Sequence, residues 1–424
     1  MTKATQDQRE AFCSHQAKEL AEVAGGPGLT QITVGTDGRK LTTKACWFAR
    51  AGRLVAVAGP DGSSEETDLA LAYGLHHAAD DDLLVLVIPK DETASRAIMV
   101  RAPFLHRALE IWTYDLTSLR EGSESRPEEH PIWSPSEIFT KYRDPASWNY
   151  GIQAPSRPSD HREFLGVRSA WVERLTAWAE SDEDLDPGHT NKYLAWTCRG
   201  KRVLSIGKPG RGLVVKAGIH YGGPDRSPHR EDLSGPLSAA AAHQLVGRAS
   251  LAAAELLDGF DGRYPESALQ AAIARKTPTE LGITGGLSRE HPAWRPYVRP
   301  IESRSNAKGR GSLDFLGVNI TGGFEIVETK VGPDEMLVLQ GLDYWIWVMA
   351  NGKRLGPTFG ISVRASAATI NFVVSRRGSG RPLSPYSKRQ SAAISKKIGQ
   401  RFWEATGWSS GHDPDVSLHR INLL

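Results

Sequence analysis

Asp314, Glu328 and Lys330 stand in two apolar segments, Ser312-Leu313-Asp314-Phe315-Leu316-Gly317 and Phe324-Glu325-Ile326-Val327-Glu328-Thr329-Lys330. Carboxylates are costly to set inside strands unless a cation neutralises them. Period-two geometry puts Phe324, Ile326, Glu328 and Lys330 on one face of the second segment and Glu325, Val327 and Thr329 on the other. The first face is apolar until it ends in Glu and Lys, the pattern of a sheet margin where side chains emerge from cover. Asn319-Ile320-Thr321-Gly322-Gly323 can reverse the chain and set the two strands side by side. An Asp, a Glu and a Lys around one point describe a site for Mg2+ or Mn2+. The carboxylates offer hard oxygen ligands, and the lysine offers a compact cation for an anionic transition state.

The elements that must position these groups are short-range and readable. A helix opens shortly after the second strand with Gln340-Gly341-Leu342-Asp343-Tyr344, and another precedes the first strand with Pro265-Glu266-Ser267-Ala268-Leu269-Gln270. A glutamate in the first turn of a helix is favoured by the helix dipole whatever else it does, so Glu266 has a structural reading beside any chemical one. The same holds for the others: Asp314 as a turn cap, Glu328 and Lys330 as a surface pair, Gln340 and Tyr344 as ordinary helix residues.

Over about 260 to 350 the chain resembles the PD-(D/E)xK nuclease superfamily, in its RecB-like branch. Asp314, Glu328 and Lys330 match the D…ExK signature, and Gln340 with Tyr344 matches the Q-x-x-x-Y element that follows the catalytic strand. No proline precedes Asp314, a departure shared by many members. The resemblance implies a mixed central sheet flanked by helices and magnesium-dependent cleavage of DNA. It implies Asp314, Glu328 and Thr329 as the metal set, Lys330, Gln340 and Tyr344 as catalytic companions, and Glu266 as a further carboxylate from the preceding helix. Since cutting both strands usually requires two active sites, it admits a homodimer or a separate defence partner. A role in bacterial defence, restriction or repair follows by family analogy alone.

Downstream, Arg376, Arg377, Arg381, Lys388, Arg389, Lys396, Lys397 and Arg401 fall in a stretch without acidic residues. Ile394, Ile398 and Phe402 recur at helical spacing, which predicts a basic C-terminal helix with cations on its outer side. Such a face suits phosphate-backbone contact, although a solvated basic surface is the commoner reading of a charge run.

The remainder bounds the class. At 424 residues, with 40% apolar and 24% charged residues, the chain has the composition of an ordinary globular protein of two or three domains. A net charge of +3 is too small to argue for a polyanionic partner by itself. The first residues lack the apolar core of a signal peptide and no run is long enough to span a bilayer, which leads to the expectation of a cytoplasmic protein without membrane attachment. Cys13, Cys46 and Cys198 are widely spaced and odd in number, and read as reduced, packed thiols.

The expected fold class is α/β in four parts: an N-terminal α/β domain over 1–117, a linker over 118–160, a helix with antiparallel β-hairpins over 161–235, and a restriction-endonuclease-like domain over 236–424. In the first, apolar runs at 53–58, 83–88 and 109–114 alternate with helix signals, and Ser63 with Glu66 offers a capping box. Gly59-Pro60-Asp61-Gly62-Ser63-Ser64 leads from a strand into a helix but lacks a phosphate-loop signature, so a plain turn is favoured. His76 and His77 beside Asp80, Asp81 and Asp82 read as a helix end and an acidic loop rather than a metal cluster, and His220 and His229 have no ligand spacing. The turns Arg199-Gly200-Lys201 and Lys208-Pro209-Gly210-Arg211 are basic and of a form that can approach phosphates. Against the nuclease stands a non-catalytic nucleic-acid-binding protein that keeps the fold only as a platform. A nucleotide enzyme centred on the N-terminal domain has no cofactor fingerprint to support it.

Overall fold

The computed structural model describes residues 4–32, 35–36, 39–40, 44–90, 92–121, 123, 125–141, 170–190, 193–207, 213–219, 229–233, 238–258, 265–294, 310–360, 367–409 and 415–423. The architecture is mixed α/β, with three larger sheets flanked by helices.

The N-terminal part opens with α1 (Gln6–Ala11), which passes through a π-helical turn at Phe12–Gln16 into α2 (Ala17–Gly25). Strands β1 (Thr30–Ile32), β4 (Ala45–Arg50), β5 (Arg53–Ala58), β6 (Leu83–Pro89), β7 (Leu109–Tyr114) and β8 (Glu128–His130) form one sheet in that order, while β2 (Gly35–Thr36) and β3 (Arg39–Lys40) pair separately. The apolar runs at 53–58, 83–88 and 109–114 are strands as expected, and β5, β6 and β7 are parallel. Crossovers α3 (Ser64–His77) and α4 (Glu92–Arg101) cover one face, and α1 with α2 covers the other. Leu84 to Ile88 are fully buried between the two layers, each contributing about 1.5–3 kcal/mol of burial.

The capping box forms: Ser63 Oγ accepts from Glu66 N, and the Glu66 carboxylate accepts from Ser63 N and Asp61 N. That carboxylate takes up the turn amides an anion would need, so the loop at 59–64 is a βα turn. Burial pushes the Glu66 carboxyl up, and Asp61 adds to the effect against the lowering of the backbone bonds.

One expectation fails here. Cys13 and Cys46 are joined by a disulfide, because the helical turn of Cys13 lies over β4 and brings the two Cα atoms to 6.1 Å despite 33 residues of separation. Spacing along the chain could not show this contact. Cys198 remains a buried thiol, pushed up by burial to about 12.

Within the stretch expected as a linker, α5 (Leu116–Arg120), β8 and α6 (Pro135–Lys141) are ordered, and Ile138 of α6 is fully buried; residues 142–160 lie outside the described residues. The middle part has α7 (Ala170–Ser181) and an antiparallel sheet of β9 (Asp186–Thr190), β10 (Tyr193–Cys198), β11 (Lys201–Gly207), β12 (Leu213–Ala217) and β13 (His229–Leu233), in the order β13-β12-β11-β10-β9. The helix α8 (Ala239–Asp258) packs on this sheet in a separate core with Leu175, Trp196 and Ile206. His220 and the turn 208–211 lie outside the described residues, and His229 begins β13.

The C-terminal part runs α9 (Pro265–Arg275), β14 (Gly285–Trp294), β15 (Arg310–Val318), β16 (Phe324–Val331), α10 (Leu337–Thr358), β17 (Ala368–Ser375), α11 (Pro385–Ala393), β18 (Gly399–Thr406) and β19 (Ser417–Arg420). Its strands lie in sequence order, antiparallel from β14 to β16, parallel through β18, and antiparallel at β19. The turn at 319–323 reverses the chain as expected, with Asn319 Oδ1 accepting from Thr321 N and Gly323 N. The helix α9 covers the outer face and α10 the inner one.

The expected basic helix stops at Ala393. Gly399–Thr406 is a strand paired to β17, so Ile394, Ile398 and Phe402 belong to a helix end, a turn and a strand. Helical spacing over these residues is overridden by pairing with a largely buried parallel strand, and Gly399 starts the new element.

Inner helices of the two larger parts meet. Arg101 of α4 is fully buried, donating from Nε and Nη2 to the two carboxylate oxygens of Asp343 at 2.7 Å each and from Nη1 to Asp68 at 2.5 Å. Leu339, Tyr386 and Ala393 complete the core under α3, and Val100, Phe104 and Ile138 complete the core under α10. The result is a stack of five layers: α1 and α2, the first sheet, the paired inner helices, the last sheet, and α9.

Candidate active site

The ends of β15 and β16 carry the site. Phe315 pairs with Val327, and beyond this pair the strands open. Asp314 turns to the outer face, where its Oδ2 accepts from Thr329 N at 2.7 Å and Thr329 Oγ1 at 2.6 Å. Thr329 Oγ1 in turn accepts from Gln270 Nε2 of α9 at 3.2 Å. One turn back on α9, Glu266 Oε1 accepts from Lys330 Nζ at 2.9 Å, and Lys330 also lies 3.8 Å from Asp334. Asp314–Thr329 and Lys330–Glu266 are therefore two hydrogen-bonded pairs lying side by side where the outer helix meets the end of β16.

Their electrostatics favour a cation. Burial pushes the Asp314 carboxyl up, and the like charge of Glu266 adds to the shift, against the two Thr329 hydrogen bonds and Lys330, which lower it. For Lys330, burial works to lower the ammonium, yet Glu266, Asp334 and Asp314 together hold it above the ordinary lysine value. Lys330 is thus a permanent cation at neutral pH.

Glu328 is placed differently. It is buried, and alternation along β16 directs it to the inner face with Phe324 and Ile326, opposite Thr329. Its register partner Phe372 belongs to that face too, packed where a Cβ on Gly341 of α10 would come within 2.5 Å of the ring. Tyr344 is buried in the same inner core, and Gln340 stands half-buried in the first turn of α10. The expected constellation is therefore divided by the strand itself: Asp314, Thr329, Lys330 and Glu266 on the outer side, Glu328, Gln340 and Tyr344 on the inner side. Period two separates 328 from 329, while the long stem of Lys330 reaches round the strand end to Glu266.

Among the described residues no three His, Cys, Asp or Glu side chains gather closely enough to hold a metal ion. The outer group nevertheless has the donor chemistry for a hard divalent cation, with two carboxylates and the Thr329 carbonyl. Magnesium takes one or two carboxylates and fills its remaining positions with water and phosphate.

Two cations beside the site were missed or only half seen in the sequence. Arg289 of β14 donates from Nη2 to Ser267 O at 3.4 Å and feels the charge of Asp314. Nothing in the pattern around Ser288-Arg289-Glu290 signals this, since Glu290 has a positive φ of 47° that breaks the strand alternation. Lys201 comes from the basic turn at 199–201, and burial lowers its ammonium, against the raising influence of Glu290 and Glu266. Gly200 has a φ of 76° at the turn tip, and a Cβ there would meet Ser267 O at 2.3 Å, so the middle sheet presses directly on the first turn of α9. The pair Arg275–Asp186 ties the other end of α9 to the same sheet.

The basic residues downstream divide between the two ends of the last sheet. Arg376, Arg377 and Arg381 follow β17 at the end where the site lies, Arg377 within 3.5 Å of where a Cβ on Gly332 would stand. Lys396 and Lys397 precede β18 at the opposite end, and Lys388 and Arg389 sit on α11. Arg376 pairs with Glu404, Arg389 with Asp80 and Arg401 with the buried Glu325. Arg377, Arg381, Lys388, Lys396 and Lys397 are exposed. His76 and His77 pack against Tyr386 of α11, and burial lowers the His76 imidazole to about 4.

No family model, curated protein or solved structure matches this chain. Among the described residues, no helix is long and apolar enough to cross a membrane.

Proposed function

We propose that the chain is a magnesium-dependent nuclease that hydrolyses phosphodiester bonds in DNA. The observation that carries the reading is the placing of two hydrogen-bonded pairs, Asp314–Thr329 and Lys330–Glu266, close enough to interact by charge at the shared end of β16 and α9. Asp314 and Glu266 would hold the ion, with the Thr329 carbonyl beside them. A bound Mg2+ or Mn2+ supplies a Lewis acid for the phosphoryl oxygens and a more acidic water.

The protein's own groups do the rest. Lys330, kept protonated by its acidic neighbours, stands ready to stabilise charge gathering on the phosphoryl group. Arg289 and Lys201 add positive charge at the rim, and Arg377 and Arg381 extend it along the sheet end toward a strand backbone. Thr329 and Gln270 fix Asp314 in one orientation, which preserves the geometry that positioning requires. Glu328, Gln340 and Tyr344, which match the signature of the PD-(D/E)xK superfamily, lie on the inner side of the sheet.

The test is incubation of the purified protein with plasmid, linear and single-stranded DNA in magnesium, manganese or chelator. Asp314→Asn and Lys330→Ala should each lower cleavage by about 10²–10³-fold while circular dichroism and DNA binding are retained. Undiminished cleavage by either purified variant refutes the assignment. The separation of Glu328 from Asp314 favours a second reading, a DNA-binding platform without hydrolysis. Calorimetric titration with manganese separates the two, since a platform binds no ion at Asp314 and Glu266.

A further inference from the structure

The first and last sheets are built alike. In the N-terminal part, outer helices lead into β1, β4 and β5, antiparallel in order, then α3 crosses to parallel β6, α4 to parallel β7, and β8 returns antiparallel. In the C-terminal part, α9 leads into antiparallel β14, β15 and β16, α10 crosses to parallel β17, α11 to parallel β18, and β19 returns antiparallel. Strand order, direction and the faces taken by the helices agree throughout.

The two parts also meet as two copies would. Leu105, just after α4, forms an antiparallel bridge with Ile394, just after α11. Its hydrogen bonds are reciprocal: His106 N donates to Ala393 O at 2.6 Å, and Ser395 N donates to Phe104 O at 2.8 Å. The residue after each bridge position donates to the residue before the other, as a two-fold axis through the bridge requires. The flanking contacts exchange in the same sense. Tyr73 of α3 packs on Tyr386 of α11 with ring centroids 4.7 Å apart, and Phe104 beyond α4 packs on Trp345 of α10 at 5.5 Å.

At the corresponding strand positions only one copy has ionisable side chains. Phe48 paired with Val55 under α2 is the counterpart of Phe315 paired with Val327 under α9. In that register Trp47, Ala56, Val57 and Ala58 stand where the other copy has Asp314, Glu328, Thr329 and Lys330. A shift of two residues brings Ala45, Ala58, Gly59 and Pro60 there instead. Neither set can ligate a cation or carry a proton.

Resting on the nuclease reading above, we infer that the N-terminal part is a second copy of the nuclease-like fold, emptied of its site and fused in the place of a second subunit, so that one chain cuts one strand of a duplex. In each event one water adds to one phosphodiester. Its oxygen bonds to phosphorus, one ester P–O bond breaks, and the departing deoxyribose oxygen takes up a proton while the water releases one. Among the described residues, the counterpart strand ends offer the uncut strand no second site.

The experiment follows supercoiled plasmid with the full chain and manganese, beside sedimentation of the same preparation. Nicked circles should accumulate as the first product, at a rate proportional to protein concentration, from a particle with the 46.3 kDa mass of one chain. Linear DNA formed directly from supercoiled, with a rate rising as the square of protein concentration and a two-chain mass, overturns the single-cut inference and leaves the nuclease reading standing. Plasmid left supercoiled by the natural chain removes the nuclease reading and this inference together.

Discussion

Asp314 pays for its place twice, through burial and through the nearby charge of Glu266, and only part of that cost is returned by Thr329 and Lys330. Its folded pKa therefore lies above the unfolded one, so the folded state binds more protons and stability falls as pH rises through that window. Above that window the ionised carboxylate opposes folding. Asp314→Asn should raise the urea midpoint at neutral pH without metal, and the gain should vanish below the ordinary carboxylate pKa, where both states are protonated. Manganese should reverse the order, stabilising the natural chain by about 2.7 kcal/mol at a hundredfold excess over its dissociation constant and the variant hardly at all. Urea titrations at several pH values, with and without the ion, check both signs. At this scale the sequence was half legible. Residue types at 314, 328, 329 and 330 marked the strand ends, and Glu266 was placed on the right helix. Which face each side chain takes depended on where β15 and β16 part, and the cations Arg289 and Lys201 arrive from remote elements that no spacing connects.

Elements were the most legible level, because strands β5, β6, β7 and β16 and helices α3, α8 and α9 are set by local pattern and capping. The failure at 394–402 marks the limit, where a helical spacing of apolar residues is dissolved by a neighbouring strand. What joins the elements was not legible at all. Arg101 appears in sequence as one more arginine near a helix end, yet it is fully buried between Asp343 and Asp68, on helices 242 and 33 residues away. Breaking a buried ion pair strands the remaining charges in a medium that solvates them poorly. Arg101→Ala should destabilise the chain by about 3–5 kcal/mol in urea unfolding. Replacing all three partners with apolar residues should recover much of the loss, which a triple variant in the same assay measures.

On the scale of the whole molecule, composition gave a net charge too small to signal DNA, and only the fold shows where the charge lies. The eight downstream cations are continuous along the chain, in a stretch without acidic residues, and helical spacing at 394–402 predicts one basic face for the later ones. With β18 there instead, the parallel crossover carries Lys396 and Lys397 to the sheet end away from the site, whereas Arg377 and Arg381 stay beside Gly332 and the end of β16. A duplex seated on the outer group should therefore engage the second pair and not the first. Each phosphate neutralised releases condensed counterions and adds about 0.9 to the slope of log affinity against log salt. Arg377→Ala with Arg381→Ala should lower that slope by about 1.8, at two contacts. Lys396→Ala with Lys397→Ala should leave it unchanged, although both double variants remove the same net charge. Equal losses in the two variants, measured by fluorescence anisotropy across a salt series, would mean that DNA responds to overall charge and does not lie across the end of β16.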